Sequence, residues 1–218
     1  MTSKFIIARR AAKFFHDGDV VNLGIGIPGA CAEFSEDGVM FETENGYLGC
    51  GAKAEGLDVS EGYCNASGVE FIPVRGAATL TSAQSFGMIR GGRVDAAVLG
   101  GLQVSEQGDL ANWGMPGRAF GMGGAMDLVN GAKKVIVAME MLTRKGEPKI
   151  VKKCSYLLTG VKCVDYIVTE YCVIRVSEEG LVLEEVAPGY TPEDIQKMVE
   201  PTLILADEIL PMYEEGDD

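Results

Sequence analysis

The sequence predicts an α/β fold: an open, mostly parallel sheet flanked by helices, with a β-rich C-terminal portion. Three observations carry this. Apolar runs such as residues 94–99 (VDAAVL) and 135–139 read as strands buried on both faces. Glycine-rich turns lie between such runs and helix-like stretches, the rhythm of βα units. From Lys149 onward the runs become short and β-branched. With 47% apolar residues in 218, there is enough material for one sizeable core. No repeat or linker divides it, so one domain is predicted over residues 1–212, followed by an acidic, disordered tail at 213–218.

The elements follow in order. Residues 3–15 (SKFIIARRAAKFF) form an amphipathic helix that Ser3 can cap, with Phe5, Ile6, Ala8, Ala12 and Phe15 largely on one face. His16, the single histidine, falls in its last turn, as a charge at the helix C-terminus or as an acid–base group. Residues 20–23 are a strand running into Gly24-Ile25-Gly26-Ile27-Pro28, and a helix can start at Pro28. This Gly-x-Gly lacks the third glycine of a dinucleotide fingerprint. A second strand, 39–43, leads into Glu44-Asn45-Gly46, whose Asn-Gly pair reverses the chain sharply. Residues 47–68 show no clear period and read as a long loop of the kind that usually serves function.

Next come a strand at 69–74 and a helix at 82–89 that Gly91-Gly92 ends. Residues 102–113 are a hairpin turning at Gln107-Gly108. The glycine-rich stretch 115–124 feeds a helix at 125–130, ended by Gly131. The runs 150–151, 166–170, 173–176 and 181–185 predict an edge meander. Thr191-Pro192-Glu193-Asp194 starts a capped helix reaching about Val199, and 202–206 is a last short strand.

Charge and composition remove several classes of function. The net charge is −13, but 13 acids against one base fall within the last 42 residues, leaving 19 acids and 18 bases elsewhere. The body is nearly neutral and carries no basic stripe, so nucleic acid is not an expected partner. The six cysteines form no Cys-x-x-Cys, and with one histidine there is no zinc-type cluster. They read as reduced thiols of a cytoplasmic protein, and no apolar run is long enough for a membrane span. Glu42, Glu44 and Asp58 are the only carboxylates weighed as metal ligands, and their spacing does not recommend them.

One histidine leaves little for Ser-His-Asp chemistry, and Cys50 sits in a glycine turn without an evident base. What remains is a carboxylate beside glycine loops. Glu44 is either a turn-stabilising surface acid or a nucleophile toward an activated carbonyl or phosphoryl centre. The glycines at 121–124, before a helix, could supply backbone N–H groups to an oxyanion.

Several segments together resemble one enzyme family. They are VNLGIGIP at 21–28, the Glu44-Asn45-Gly46 turn with Leu48-Gly49-x-Gly51, and IRGG at 89–92. LANW at 110–113 and GMGGAMDLV at 121–129 continue the series. In order and over nearly the whole chain, these are similar to the β subunit of family I CoA-transferases of the 3-oxoacid (acetoacetate) and butyrate–acetoacetate type. The resemblance implies an open α/β fold and a separate α subunit, in an α2β2 heterotetramer with the active site between subunits. It implies that Glu44 is the catalytic glutamate, passing through an acyl-glutamyl anhydride to a glutamyl-CoA thioester in a ping-pong cycle. Coenzyme A is then a substrate, and no cofactor or metal is required. Gly124, with Gly123 beside it, matches the oxyanion-hole glycine, and Asn22 an asparagine near the reacting carboxylate. Gly24, Gly26, Asn45, Gly46, Gly49 and Gly51 match positions on the substrate and CoA side. The second oxyanion donor, a side-chain amide, would come from the α subunit. Gly68 stands where acetoacetate-using members can carry a lysine, which bears on acid specificity. Arg90, Arg118, Lys133 and Lys134 are candidates for holding CoA phosphates, or else ordinary surface charge. Two other readings stand beside transfer: an acyl-CoA hydrolase of the same fold, and a metabolite sensor that would not need the glutamate.

Overall fold

The computed structural model describes residues 2–54, 63–119 and 121–213. In chain order the elements are α1 (Ser3–Ala12), β1 (Val20–Leu23), a 3-10 turn (Pro28–Glu33), β2 (Met40–Thr43), β3 (Tyr47–Lys53), β4 (Phe71–Thr79), α2 (Ser82–Arg90) and β5 (Ala96–Leu99). Then come β6 (Gln103–Ser105), β7 (Leu110–Ala111), β8 (Gly114–Met115), β9 (Arg118–Ala119), α3 (Ala125–Gly131) and β10 (Val135–Ala138). The chain continues with β11 (Ile150–Val151), β12 (Tyr166–Val168), β13 (Cys172–Ser177), β14 (Gly180–Val186), α4 (Pro192–Gln196) and β15 (Ile204–Pro211).

Ten strands form one sheet in the order β15-β14-β13-β12-β10-β5-β1-β2-β3-β4. Its centre, β12-β10-β5-β1-β2, is parallel throughout. Alternation along the central strands builds two cores, because successive side chains point to opposite faces. Ala97, Leu99, Val135 and Val137 face one way, against Ile89 of α2, Leu128 and Val129 of α3 and Ile195 of α4. Ala96, Val98, Ile136 and Ala138 face the other, against Ile7, Ala8, Ala11 and Ala12 of α1 and Ala30 and Cys31 of the 3-10 turn. The α/β class predicted from the apolar runs is the one observed.

Several details differ from the sequence reading. α1 ends at Ala12 rather than residue 15, and its N-cap is Thr2. The Ser3 hydroxyl instead donates to Glu140 Oε1 at 3.1 Å. His16 therefore lies beyond the helix, in a turn where its N–H donates to Asp19 Oδ2 at 2.8 Å. The stretch predicted as a long loop begins as β3. Its glycines hide the strand alternation for a packing reason: a Cβ on Gly49 would lie 2.9 Å from Ala77 Cα, and one on Gly51 2.4 Å from the Ile72 carbonyl oxygen. β8 and β9 form a small hairpin inside the glycine-rich stretch. The predicted C-terminal meander is realised by β12, β13 and β14, paired antiparallel in turn, with β12 also bordering the parallel centre through β10. β11 falls outside it and pairs with β6 in a separate sheet. α4 has the predicted cap, Thr191 with Asp194, but stops at Gln196. Asp58 lies outside the described residues, as does the tail beyond residue 213.

α2 and α3 meet backbone to backbone. A Cβ on Gly131 would lie 2.3 Å from the Ile89 carbonyl oxygen. Gly131→Ala is expected to force the two helices apart and cost about 1–3 kcal/mol, as overpacking does. A urea melt of the variant checks this.

Candidate active site

β1 and β2 run parallel with Asn22 in register with Glu42. Glu44 follows two residues after Glu42 and shares its face. The outcome is a compact polar group at the strand ends. Asn22 Nδ2 donates to Glu42 Oε2 at 2.8 Å and to Glu44 Oε2 at 3.3 Å. Asn22 and Glu42 are buried, at 1% and 2% exposure, while Glu44 is half-buried. α2 closes the group from the side. Its capping box, Thr81 with Gln84, fixes the first turn. One residue further on, buried Ser85 donates its hydroxyl to Glu42 Oε1.

The start of α3 comes within contact of Glu44. A Cβ on Gly124 would stand 3.3 Å from Glu44 Cγ and 3.2 Å from Phe86 Cε1, so a side chain there would crowd both. Gly123 is in the left-handed region at φ 57°, and a Cβ on it would lie 4.0 Å from Glu44 Oε1.

The turn that carries Glu44 is braced from behind. Thr43 Oγ1 donates to Asn45 Oδ1 at 2.7 Å and accepts the Ala66 N–H at 2.9 Å. Asn45 Nδ2 donates to the Cys64 carbonyl at 2.9 Å. Gly46 has φ 113°, and a Cβ there would meet the Leu80 oxygen at 2.2 Å. Tyr47 pairs across from Thr43 and packs with Tyr63 and Phe71 around a cleft of about 260 Å³. By strand alternation that cleft lies on the opposite side of the hairpin from Asn22 and Glu42.

Burial raises the Glu42 carboxyl above the usual range. Hydrogen bonds from Ser85 and Asn22 partly oppose this, and the charge of Glu44 adds to it. Such a group disfavours folding once ionised. Its neutral form contributes stability below the ordinary carboxylate range, and that contribution is lost as pH rises through the raised value. Glu42→Gln is therefore expected to melt higher than the native protein at pH 7, with the gap closing as pH falls toward about 4.5. The groups that face Glu42 are Glu44 in the turn after β2, Asn22 on β1, Ser85 on α2 and Cys50 on β3, whose thiol burial pushes up to about 12. Thermal melts across pH check the sign.

The model of the family described as Coenzyme A transferase matches residues 5–198. The chain belongs to the coenzyme A transferase family. It is 46% identical over 215 residues to the β subunit of the acetate CoA-transferase of Haemophilus influenzae, covering 97% of this chain and 96% of that protein. It is 45% identical over 196 residues to one subunit of the succinyl-CoA:3-ketoacid coenzyme A transferase of Helicobacter pylori strain 26695, covering 89% and 95%. Among solved structures, an acyl-CoA transferase apoenzyme from Escherichia coli O157:H7 superposes with a TM-score of 0.79 at 22% identity. That match covers 97% of this chain but 43% of the solved one, so this chain spans under half of its length and the likeness is one of fold.

In this CoA-transferase, the residues singled out by sequence fall into two groups. Asn22, Glu44, Gly123 and Gly124 are brought together, although Gly124 is about 80 residues from Glu44. Gly24, Gly46, Gly49 and Gly51 are accounted for by close backbone approach. A Cβ on Gly24, for example, would lie 3.2 Å from the Val98 oxygen. Gly26 supplies a positive φ of 89° before the 3-10 turn.

Of the bases, Arg90 pairs with Asp127 and Lys133 with Asp95, each at 2.6 Å. Lys134 sits 5.6 Å from the Phe14 ring centre. Among the described residues no group of three or more metal-ligating side chains gathers. No helix among them is long and apolar enough to cross a membrane. Sequence reasoning missed Ser85 and Phe86, which have no motif of their own, and weighed Glu42 only as a metal ligand. A glutamate inside an otherwise apolar strand, two residues before Glu44, was the available signal.

Proposed function

We propose that the chain is the β subunit of an enzyme moving CoA between a short-chain acyl-CoA and a free carboxylic acid, with Glu44 as the covalent nucleophile. The observation that carries this reading is the Glu44 carboxylate itself. It is held by the Asn22 amide at 3.3 Å, and Gly124 leaves no side chain between it and the start of α3.

The chemistry balances on that carboxylate. One Glu44 oxygen attacks the thioester carbonyl; the carbon–sulfur bond breaks and CoA leaves as thiolate, giving an acyl-glutamyl anhydride. The thiolate attacks the glutamyl carbonyl. The glutamyl C–O bond breaks, the acid departs as its carboxylate, and Glu44 is left as a neutral glutamyl-CoA thioester. A second acid reverses the sequence. The thioester is conserved, so the cycle needs neither a metal nor a nucleotide triphosphate as energy source. We assign the Gly124 N–H, at the start of α3 beside Glu44, as a donor to the oxyanion formed at each addition, whose transition-state charge is where such donors act most strongly. A side-chain amide of an α subunit would complete the hole, within an α2β2 assembly. The relatives are each named as one subunit of a larger enzyme, which supports a separate partner chain.

The test is chemical trapping. The chain with its partner subunit is incubated with acetyl-CoA and then treated with borohydride or hydroxylamine, and peptides are mapped by mass. Modification confined to Glu44 is the expected result. Modification at another residue, with Glu44 untouched, would sink the assignment.

A further inference from the structure

We propose that Glu42 is a positioning residue for this reaction: through Asn22 it aims the Glu44 carboxylate, and its charge favours the neutral glutamyl-CoA form of Glu44 over the free anion. The inference rests on Glu44 being the nucleophile.

The geometry comes first. The Asn22 amide nitrogen bridges the two carboxylates, at 2.8 Å to Glu42 and 3.3 Å to Glu44. An amide can turn over, exchanging its oxygen and nitrogen. Asn22 Oδ1 is buried without a hydrogen-bond partner among the described residues. That is an arrangement the side chain would leave if turning over were free. Turning over would set that oxygen against both carboxylates. The shorter, charge-assisted bond to Glu42 therefore decides which edge of the amide Glu44 meets. Glu42 is in turn fixed by Ser85, which donates to its other oxygen from α2. Its main-chain oxygen also accepts from Asn22 Nδ2, at 3.3 Å.

Charge adds a second effect. Before reaction, two carboxylates share one amide. After CoA is loaded, Glu44 is neutral and the negative charge has left on the released acid. Both Glu42 oxygens accept hydrogen bonds, from Asn22 and Ser85, the pattern of an ionised carboxylate. An anion so held, two residues away, opposes the first state and not the second, so it shifts the equilibrium toward the loaded enzyme. The groups facing Glu42 are Ser85, Asn22, Glu44 and Cys50, and none is a cation. A buried acid so placed weakens the fold, and gains for function are where such costs are found.

The experiment measures loading at equilibrium. The chain with its partner subunit is mixed with acetyl-CoA or butyryl-CoA and an excess of the matching acid. The fraction carrying CoA at Glu44 is read by intact mass and peptide mapping, per folded complex. Glu42→Gln keeps the volume and can still accept from Asn22. It removes the charge, and its own amide can present either edge, so Asn22 is no longer held one way.

We expect the loaded-to-free ratio and kcat to fall about tenfold or more, the scale of a hydrogen bond to a charged group, with KM little changed and the melting temperature not lowered. Ser85→Ala, which loosens Glu42 but keeps its charge, should give a smaller loss of the same sign. A merely structural role predicts a lower melting temperature with unchanged loading. Equal loading in the native protein and Glu42→Gln overturns the proposal. Absence of loading on native Glu44 with both acyl-CoAs overturns instead the nucleophile reading beneath it.

Discussion

With Glu44 as the proposed nucleophile, Glu44→Ala is expected to abolish CoA transfer and leave the fold standing. This is the largest effect expected in the chain. A covalent nucleophile has no substitute within reach: Glu42 is buried at 2% exposure and bound by both Asn22 and Ser85. Removal of such a group costs about four orders of magnitude or more in turnover. Stability should move little, or rise. Glu44 is half-buried at a hairpin turn, and the brace of that turn runs through Thr43, Asn45 and Gly46 instead. Deleting its charge also relieves Glu42, whose carboxyl the Glu44 charge helps to raise. Steady-state transfer assays with thermal melts on the same sample check both halves. Residual transfer within tenfold of the native rate would contradict the role given to Glu44.

The second large effect is Gly124→Ala. The new methyl would lie 3.2 Å from the Phe86 ring and 3.3 Å from Glu44 Cγ, tighter than side chains normally pack. One of them must give. Both are half-buried, but Phe86, on α2, packs against the buried core, whereas Glu44 stands on a turn and is held by Asn22 at 3.3 Å. Glu44 should therefore be displaced by a few tenths of an ångström, at the place where the aim of the proposed nucleophile matters most. A loss of about ten- to a hundredfold in kcat is expected, since misplacement of reacting groups by around 1 Å can cost a hundredfold. Gly123→Ala is the contrast. Its methyl would lie 4.0 Å from Glu44 Oε1, ordinary contact, so its cost is mainly that of an alanine at positive φ, about 1–2 kcal/mol of stability. Comparing the two variants in kcat and in melting temperature separates crowding of the nucleophile from backbone strain.

Much of this was legible in the sequence, for reasons that can be stated. The central strands announced themselves because burial on both faces demands uninterrupted apolar runs, as in Ala96–Leu99 and Val135–Ala138. The reversal at Glu44 was legible because Asn-Gly favours it. What escaped was whatever depends on a neighbour distant in sequence. Gly49 and Gly51 read as loop residues because the reason for them is β4, across the sheet. Ile150–Val151 read as part of a meander because nothing local reveals that its partner is β6. In the site, Ser85 has the composition of any helix residue, and its meaning comes from a carboxylate 43 positions earlier. Glu44 was singled out as a carboxylate on a glycine turn, with its role given by motif resemblance, and Asn22 was found through the resemblance alone. The hydrogen bond that joins them was not, because it follows from strand register.

The order of strands also has a temporal side. β1 lies between β2 and β5, so the strand carrying Asn22 is incomplete until residues 96–99 can pair with it. Gly124 arrives later still, about 80 residues after Glu44; at roughly 5–20 residues per second, a ribosome takes several seconds to cover that distance. Until then the glutamate lacks the α3 backbone that stands beside it in the finished protein. The packing around Glu44 is therefore completed late, when the chain up to Gly131 folds back against the sheet beside β5.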